Sequence, residues 1–299
     1  GQATYWELLN GTPREIRRKV RNRTHVRCSC GAVVESGDLG FVLGSEGQRS
    51  QVPVWISYSV GSSRYTKEPD ERDLDLVRTI EHMTVPHWYP TDLYMRKGAR
   101  WGDQWRGYHV GIERVADFYM KRNLTILAAL YERIHSVSDK TLRNKLLYAF
   151  TATLPRLNRM NRYMPKHNRH VGPLSGTLYV SKLPVEINVF VNFERKVKRI
   201  ARAEFHDRRS VVVSTQSASD LSNVPSNSVD YVFTDPPFGD NIFYSDLANF
   251  LYAWLRLLLA RESPEHFQAQ KTPNALEALT PRTLSEEEAD DYYRLPLTP

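Results

Sequence analysis

Thr234-Asp235-Pro236-Pro237-Phe238-Gly239 is the run of this sequence whose residue types and order can carry chemistry. Two consecutive prolines fix the backbone and remove two N–H donors, while their carbonyls stay free to accept hydrogen bonds. The run therefore presents a carboxylate, a rigid carbonyl and an aromatic face close together. That set suits the holding of a planar exocyclic amine. Asp235 and the Pro236 carbonyl can accept the two amino hydrogens, which draws the nitrogen toward tetrahedral geometry and frees its lone pair from the ring. Phe238 can stack on the base. The lone pair then attacks an activated methyl group in line. No strongly shifted general base is needed, because the proton becomes acidic only once the nitrogen is alkylated. The plain alternative is a surface turn, since Asp-Pro and Pro-Pro are ordinary turn formers.

The elements on either side favour chemistry over a turn. Residues 229–233, Val-Asp-Tyr-Val-Phe, are almost continuously apolar apart from Asp230 and read as a central strand buried on both faces. After the run, Leu247, Phe250, Leu251, Trp254, Leu255 and Leu258 fall at i, i+3, i+4, i+7, i+8 and i+11, the spacing of a helix. Residues 211–213 read as a second short strand. In an open parallel sheet, loops at the carboxyl ends of strands line the ligand crevice, so Asp235 is expected at that edge. Ser217 and Asp220 follow the 211–213 strand.

Further upstream, Thr12 as N-cap and Pro13 as first helical residue predict a basic helix in an N-terminal segment, residues 1–23. Residues 24–70 are expected to form a β-rich insert. It opens with Cys28-Ser29-Cys30-Gly31, which looks like one half of a zinc ribbon, and continues with a strand over 52–60 that returns over 64–67. Cys28 and Cys30 would be two ligands of a tetrahedral site, with His25 a candidate third. Residues 71–299 make up the α/β domain. In it, Leu74, Val77, Ile80 and Met83 share one helix face. Helical spacing also runs from 110 to 136 through Val115, Phe118, Tyr119, Leu124, Leu127, Ala128, Tyr131 and Ile134. Another helix is expected over 139–154. The loop tryptophans Trp88, Trp101 and Trp105 read more readily as packing anchors than as base-stacking platforms. The stretch from Arg156 to His170, basic and aromatic without periodicity, reads as loop.

The 299 residues carry 41 Lys+Arg against 34 Asp+Glu, a formal charge of +7. This excess suits a polyanionic partner, with Arg14, Arg17, Arg18, Arg195, Lys198 and Arg199 as phosphate contacts whose binding weakens with salt. Composition excludes a disordered or collagen-like chain. No apolar run approaches the ~20 residues that span a bilayer, so no membrane role is expected. Two cysteines and no signal-like apolar run near Gly1 lead to the expectation of a reducing, cytoplasmic compartment.

Asp235-Pro236-Pro237-Phe238 resembles the catalytic motif of amino-group methyltransferases that use S-adenosylmethionine to make N6-methyladenine or N4-methylcytosine in DNA. The longer run from Asp230 to Leu247, continuing through Phe250, Tyr252, Trp254, Leu255 and Arg256, is similar to large bacterial and archaeal adenine-specific DNA methylases that carry a zinc-ribbon-like insert. Cys28 to Gly31, Val54-Trp55-Ile56 and residues 118–130 also look like parts of that family. The resemblance implies a Rossmann-like methyltransferase domain, complete or not, with a small β-rich insert near the N-terminus. It implies S-adenosylmethionine as cofactor, with zinc in the insert, DNA as partner and a role in modification alongside restriction. Asp235, Pro236, Pro237 and Phe238 would be catalytic, and Ser217, Asp220 and Thr234 would bind cofactor. The target base would have to leave the duplex stack to reach Asp235.

One departure from the family stands out. Such enzymes hold the methionine end of the cofactor on a glycine-rich loop, and none is found here. After Gly111 the only glycines are Gly172, Gly176 and Gly239. Gly172-Pro173-Leu174-Ser175-Gly176 is a weak substitute. Three expectations remain open: the cofactor half lies upstream of Gly1, another subunit supplies it, or the chain has lost activity. Two other functions compete, an RNA amino-methyltransferase and a noncatalytic DNA-binding subunit of a modification or defence complex.

Overall fold

The computed structural model describes residues 2–9, 12–19, 25–27, 33–35, 49, 51–91, 109–164, 167, 169–203, 221–235, 242–260, 264, 285, 287 and 288. The chain divides into two compact units, Gly1–Leu74 and Asp75–Pro299.

Hairpins make up the strands described in the first unit. β1 (Gln2–Leu9) pairs antiparallel with β2 (Thr12–Lys19), with Leu9 opposite Thr12 and Thr4 opposite Arg17. The basic helix expected in 1–23 is therefore a strand. A residue before proline is steered to extended backbone, so Thr12-Pro13 opens a strand edge as readily as a helix. The helical reading also overlooked Asn10-Gly11, which lies between the strands and is the strongest sequence signal for a two-residue hairpin. β3 (His25–Arg27) pairs with β4 (Val33–Glu35). Between them stand residues 28–32, which include both cysteines and lie outside the described residues.

β5 (Ile56–Val60) and β6 (Ser63–Lys67) form a third hairpin, and Tyr58 and Tyr65, directly opposite, stack at 5.5 Å. Its turn needs Gly61, whose φ of +58° disfavours a side chain. The strand begins at Ile56, four residues later than the alternation predicts. α1 (Glu71–His82) starts on a reciprocal cap: Asp73 N donates to Asp70 Oδ1 (3.0 Å) and Asp70 N to Asp73 Oδ2 (2.9 Å). None of its residues is buried, so the expected apolar face is only half covered.

The second unit holds the apolar core. A 3₁₀ turn, Val115–Phe118, is closed by Asp117, whose carboxylate accepts from Glu113 N (2.9 Å) and Arg114 N (2.8 Å). This breaks the helix expected from 110, and α2 runs only over Lys121–His135. All eight apolar residues named from that spacing are nevertheless buried. α3 (Lys140–Thr151) is capped by Asp139, which accepts from Leu142 N at 2.8 Å, and passes into a 3₁₀ turn, Leu154–Arg156, at Pro155. The basic stretch read as loop contains a hairpin, β7 (Arg162–Met164) with β8 (Arg169–Val171). α4 (Val189–Ala201) is capped by Asn188 and α5 spans Tyr244–Leu259.

Trp254 is the centre of the packing. Its ring lies 5.4 Å from Phe150, 5.8 Å from Tyr119, 5.9 Å from Tyr131 and 6.2 Å from Trp88. Trp88 is thus a packing anchor, as expected, while Trp101 and Trp105 lie outside the described residues. Arg159, from the basic stretch, is buried and donates from Nε to Tyr119 O at 3.3 Å. Burial pushes its guanidinium down to about 10, against the pull of Glu81, Asp117 and Glu186.

Asn123 ties three segments together. Its Nδ2 reaches Leu157 O and Ile187 O, each at 3.2 Å, and the residue is 4% exposed. Asn123→Ala is expected to lower unfolding stability by about 1–3 kcal/mol, because two carbonyls lose a buried donor. Urea denaturation with an unchanged midpoint would show that water satisfies them instead.

Every sheet among the described residues is a two-stranded antiparallel hairpin. The parallel sheet of the expected Rossmann-like domain is not seen among them. Residues 229–233, expected as its central strand, are irregular and exposed: Val229 55%, Tyr231 78%, Val232 73% and Phe233 84%. The physical reason is that all of a strand's ladder hydrogen bonds come from its neighbours. The nearest candidate neighbour, residues 211–213, lies outside the described residues, and none of the described strands pairs with this run. An apolar sequence specifies that a segment be covered, and the covering must come from elsewhere.

Candidate active site

Local bonds shape the approach to the motif. Val224 N donates to Leu221 O at 2.8 Å, Ser228 Oγ donates to Pro225 O at 2.6 Å, and Asn227 takes a φ of +57° between them. The chain then runs irregularly to Thr234 and Asp235, both exposed. Among the described residues Asp235 makes no hydrogen bond or ion pair. Its acceptor oxygens are uncommitted, which suits a residue that must take hydrogens from an incoming amine. Pro236, Pro237 and Phe238 lie outside the described residues, as do the cofactor candidates Ser217 and Asp220.

Beyond the motif the chain re-enters the core. Phe243 is buried at the start of α5, and Phe250, Ala253 and Trp254 follow on its inner face. Phe250 stacks on Tyr119 at 5.7 Å and meets Phe118 edge-on at 5.6 Å. Ser245, Asp246 and Asn249 are also buried, so the first half of the helix is sunk with polar side chains inward. The helix expected from the i, i+3, i+4 spacing is therefore present and anchored. Ile242 stands seven residues after Asp235, which limits the separation of the two to about 25 Å.

Gly176 packs against this entry. A Cβ placed on it would meet Ile242 Cδ1 at 3.2 Å, and its φ is +69°. The turn around Gly176 is followed by Leu178, whose carbonyl bonds the buried His109 Nε2 at 2.7 Å. Glycine is required here for backbone sign and for closeness to Ile242. The side chain of Ile242 stands against this turn.

The remaining expected site residues are scattered over elements of different kinds. Arg14, Arg17 and Arg18 fall on β2 of the first unit. Arg195, Lys198 and Arg199 lie exposed on α4 of the second. Lys198 pairs with Glu194 one turn away at 2.5 Å, which leaves Arg195 and Arg199 as the uncompensated charges of the three. Cys28 and Cys30 lie outside the described residues, and no group of three metal-ligating side chains occurs among those described. No described helix is long and apolar enough to cross a membrane.

Sequence reasoning missed one grouping. Lys196 is held below the usual ammonium range by partial burial, then by Arg199 and by Arg156. His170 is held below the usual imidazole range by burial and then by the same Arg156. Arg156 ends the 3₁₀ turn after α3, Lys196 and Arg199 are on α4, and His170 is on β8. Only Lys196 and Arg199, three apart on a helix, were legible as neighbours. No protein-family model matches this chain, and neither does any curated protein or solved structure.

Proposed function

We propose that this chain transfers the methyl group of S-adenosylmethionine to an exocyclic amine of a DNA base, N6 of adenine in preference to N4 of cytosine. The observation that carries this reading is Asp235: an exposed carboxylate with uncommitted oxygens, heading a Pro-Pro-Phe run that leads into an anchored helix. In the reaction Asp235 and the Pro236 carbonyl accept the two amino hydrogens, and Phe238 stacks on the extruded base. S-Adenosylmethionine, when bound, supplies the activated methyl. Thr234, Ser217 and Asp220 belong on its side of the site. The Rossmann-like sheet belongs to the same proposal, because residues 229–233 need neighbouring strands to be covered. Zinc held by Cys28 and Cys30 is part of it as well.

A second reading has a specific observation in its favour. After Gly111 the sequence offers only Gly172, Gly176 and Gly239, and Ile242 packs against Gly176. A noncatalytic DNA-binding subunit, working beside a chain that supplies the cofactor site, is consistent with that. Calorimetry with S-adenosylmethionine, together with transfer of labelled methyl to matched DNA and RNA, separates the readings. The proposal expects cofactor heat and label in DNA alone. Label in RNA alone would move the activity to RNA. DNA binding with neither heat nor label would favour the noncatalytic subunit.

A further inference from the structure

The hairpin of β5 and β6 lies open on both faces: every residue from 57 to 66 is exposed. Its register sorts the side chains, with Tyr58, Val60 and Tyr65 on one face and Ser59 and Arg64 on the other. On the first face the rings of Tyr58 and Tyr65 meet at 5.5 Å between centroids and 25° between planes. The two residues are nevertheless 43% and 48% exposed, and Val60 is 63% exposed. A stacked pair uses one face of each ring. Among the described residues neither tyrosine has a second ring partner. The charges nearby in the chain are of one sign. Residues 51–67 hold Arg64 and Lys67 and no Asp or Glu. Lys67 is committed to Asp70 and Asp73, at 3.0 and 2.6 Å. Arg64 is exposed and has no such partner among the described residues.

We propose that the Tyr58–Tyr65 face is a stacking platform for unpaired bases of a nucleic acid, with Arg64 as its phosphate contact. A cross-strand tyrosine pair steadies a hairpin. A two-stranded hairpin with no buried face is still at best marginally stable in water, and a layer of bases over the rings supplies the missing cover. Every base has a π-face, so stacking on tyrosine tolerates any sequence. In a duplex those faces are already stacked on one another, so the platform prefers a single strand. Charge favours this occupant over an apolar peptide: a strand of bases brings phosphates that complement the Arg64 guanidinium, and no carboxylate in residues 51–67 opposes them. The site rests on the proposed function only for nucleic acid as the partner. It requires neither cofactor nor methyl transfer.

The test uses the full chain without S-adenosylmethionine. Anisotropy is read with three fluorescein-labelled ligands: a thymidine oligomer, an abasic strand of equal length and a duplex. The double variant Tyr58→Val, Tyr65→Val keeps β propensity and removes both π-faces. Its affinity for the oligomer should fall at least about tenfold, with the abasic strand and the duplex changed by less than about twofold. The double variant Tyr58→Phe, Tyr65→Phe should bind as the parent does, because both stacking faces survive. Arg64→Gln should lower the salt slope for the oligomer by about 0.7 unit. Unchanged oligomer affinity in the valine double variant would overturn the platform, and so would an equal loss on all three ligands. An unchanged slope in Arg64→Gln would overturn the phosphate contact. A parent that sediments as a dimer, dissociated by the valine substitutions, would give the face to a second copy of the chain instead. If the valine double variant melts before the measurement, ultraviolet crosslinking of the parent to a 5-iodouracil oligomer decides. Crosslinks mapped to Tyr58 or Tyr65 support the platform, and crosslinks confined to other residues overturn it. A chain that transfers no methyl group yet tells the oligomer from the abasic strand through these tyrosines would end the proposed function and leave this site standing. The reverse result would end only this site.

Discussion

Asp235→Ala is expected to slow methyl transfer by about 10²–10³-fold while DNA and S-adenosylmethionine still bind. The carboxylate does its work only as the amine pyramidalises, so removing it raises the barrier more than it weakens the ground state. Phe238→Ala should act differently, losing about 1–3 kcal/mol of stacking on the extruded base. Its signature is weaker productive engagement of substrate along with slower turnover. Phe238→Tyr keeps the stacking face and should be nearly neutral. Single-turnover methylation with the cofactor-competent protein, read beside duplex binding, distinguishes these outcomes. Wild-type transfer by Asp235→Ala would mean that the chemistry lies elsewhere and that the Asp-Pro-Pro-Phe run is a turn.

What the sequence made legible was the burial pattern of its helices. The spacing around Trp254 marked α5, and the spacing through Tyr131 marked residues that are buried even where the helix itself starts later. Such patterns are local: a helix satisfies its own backbone, so its apolar stripe states both that it forms and which face it hides. Strands were legible only where their partners were adjacent. The turn at Gly61 announced β5 and β6, and Asn10-Gly11 would have announced β1 and β2 had proline not suggested a helix. Residues 229–233 differ from both. Their composition asks for cover on both faces, yet composition cannot name the strands that give it, and in the structure the run is exposed. The influence of Arg156 on Lys196 and on His170 was hidden for the same reason, because these residues lie up to forty positions apart in the chain.

Trp254→Ala carries the largest expected effect on stability. The indole is fully buried and touches aromatic rings from three other parts of the second unit: Trp88 before the core, Tyr119 and Tyr131 at and within α2, and Phe150 on α3. Truncating a buried tryptophan typically costs about 3–5 kcal/mol, the lost transfer energy plus the cavity left behind. Against a domain stability of about 5–15 kcal/mol that is a large share. The rings around it are large and mutually braced, with Tyr119 also stacked on Phe250 at 5.7 Å, so the site can collapse little. The Tyr119 hydroxyl is pushed well above its ordinary range by burial, with the Trp254 side chain beside it acting in the other direction. Trp254→Phe should cost much less, because a ring still meets Phe150 and Tyr131. Urea denaturation followed by far-ultraviolet circular dichroism measures both. The consequence reaches the candidate site, because α5 is what pins the chain immediately after the Asp235 motif. Trp254→Ala should thus slow methyl transfer even where enough folded protein remains, and Trp254→Phe should restore it. A Trp254→Ala protein within about 1 kcal/mol of the parent would mean that α5 is not part of the core, and that it does not anchor the motif.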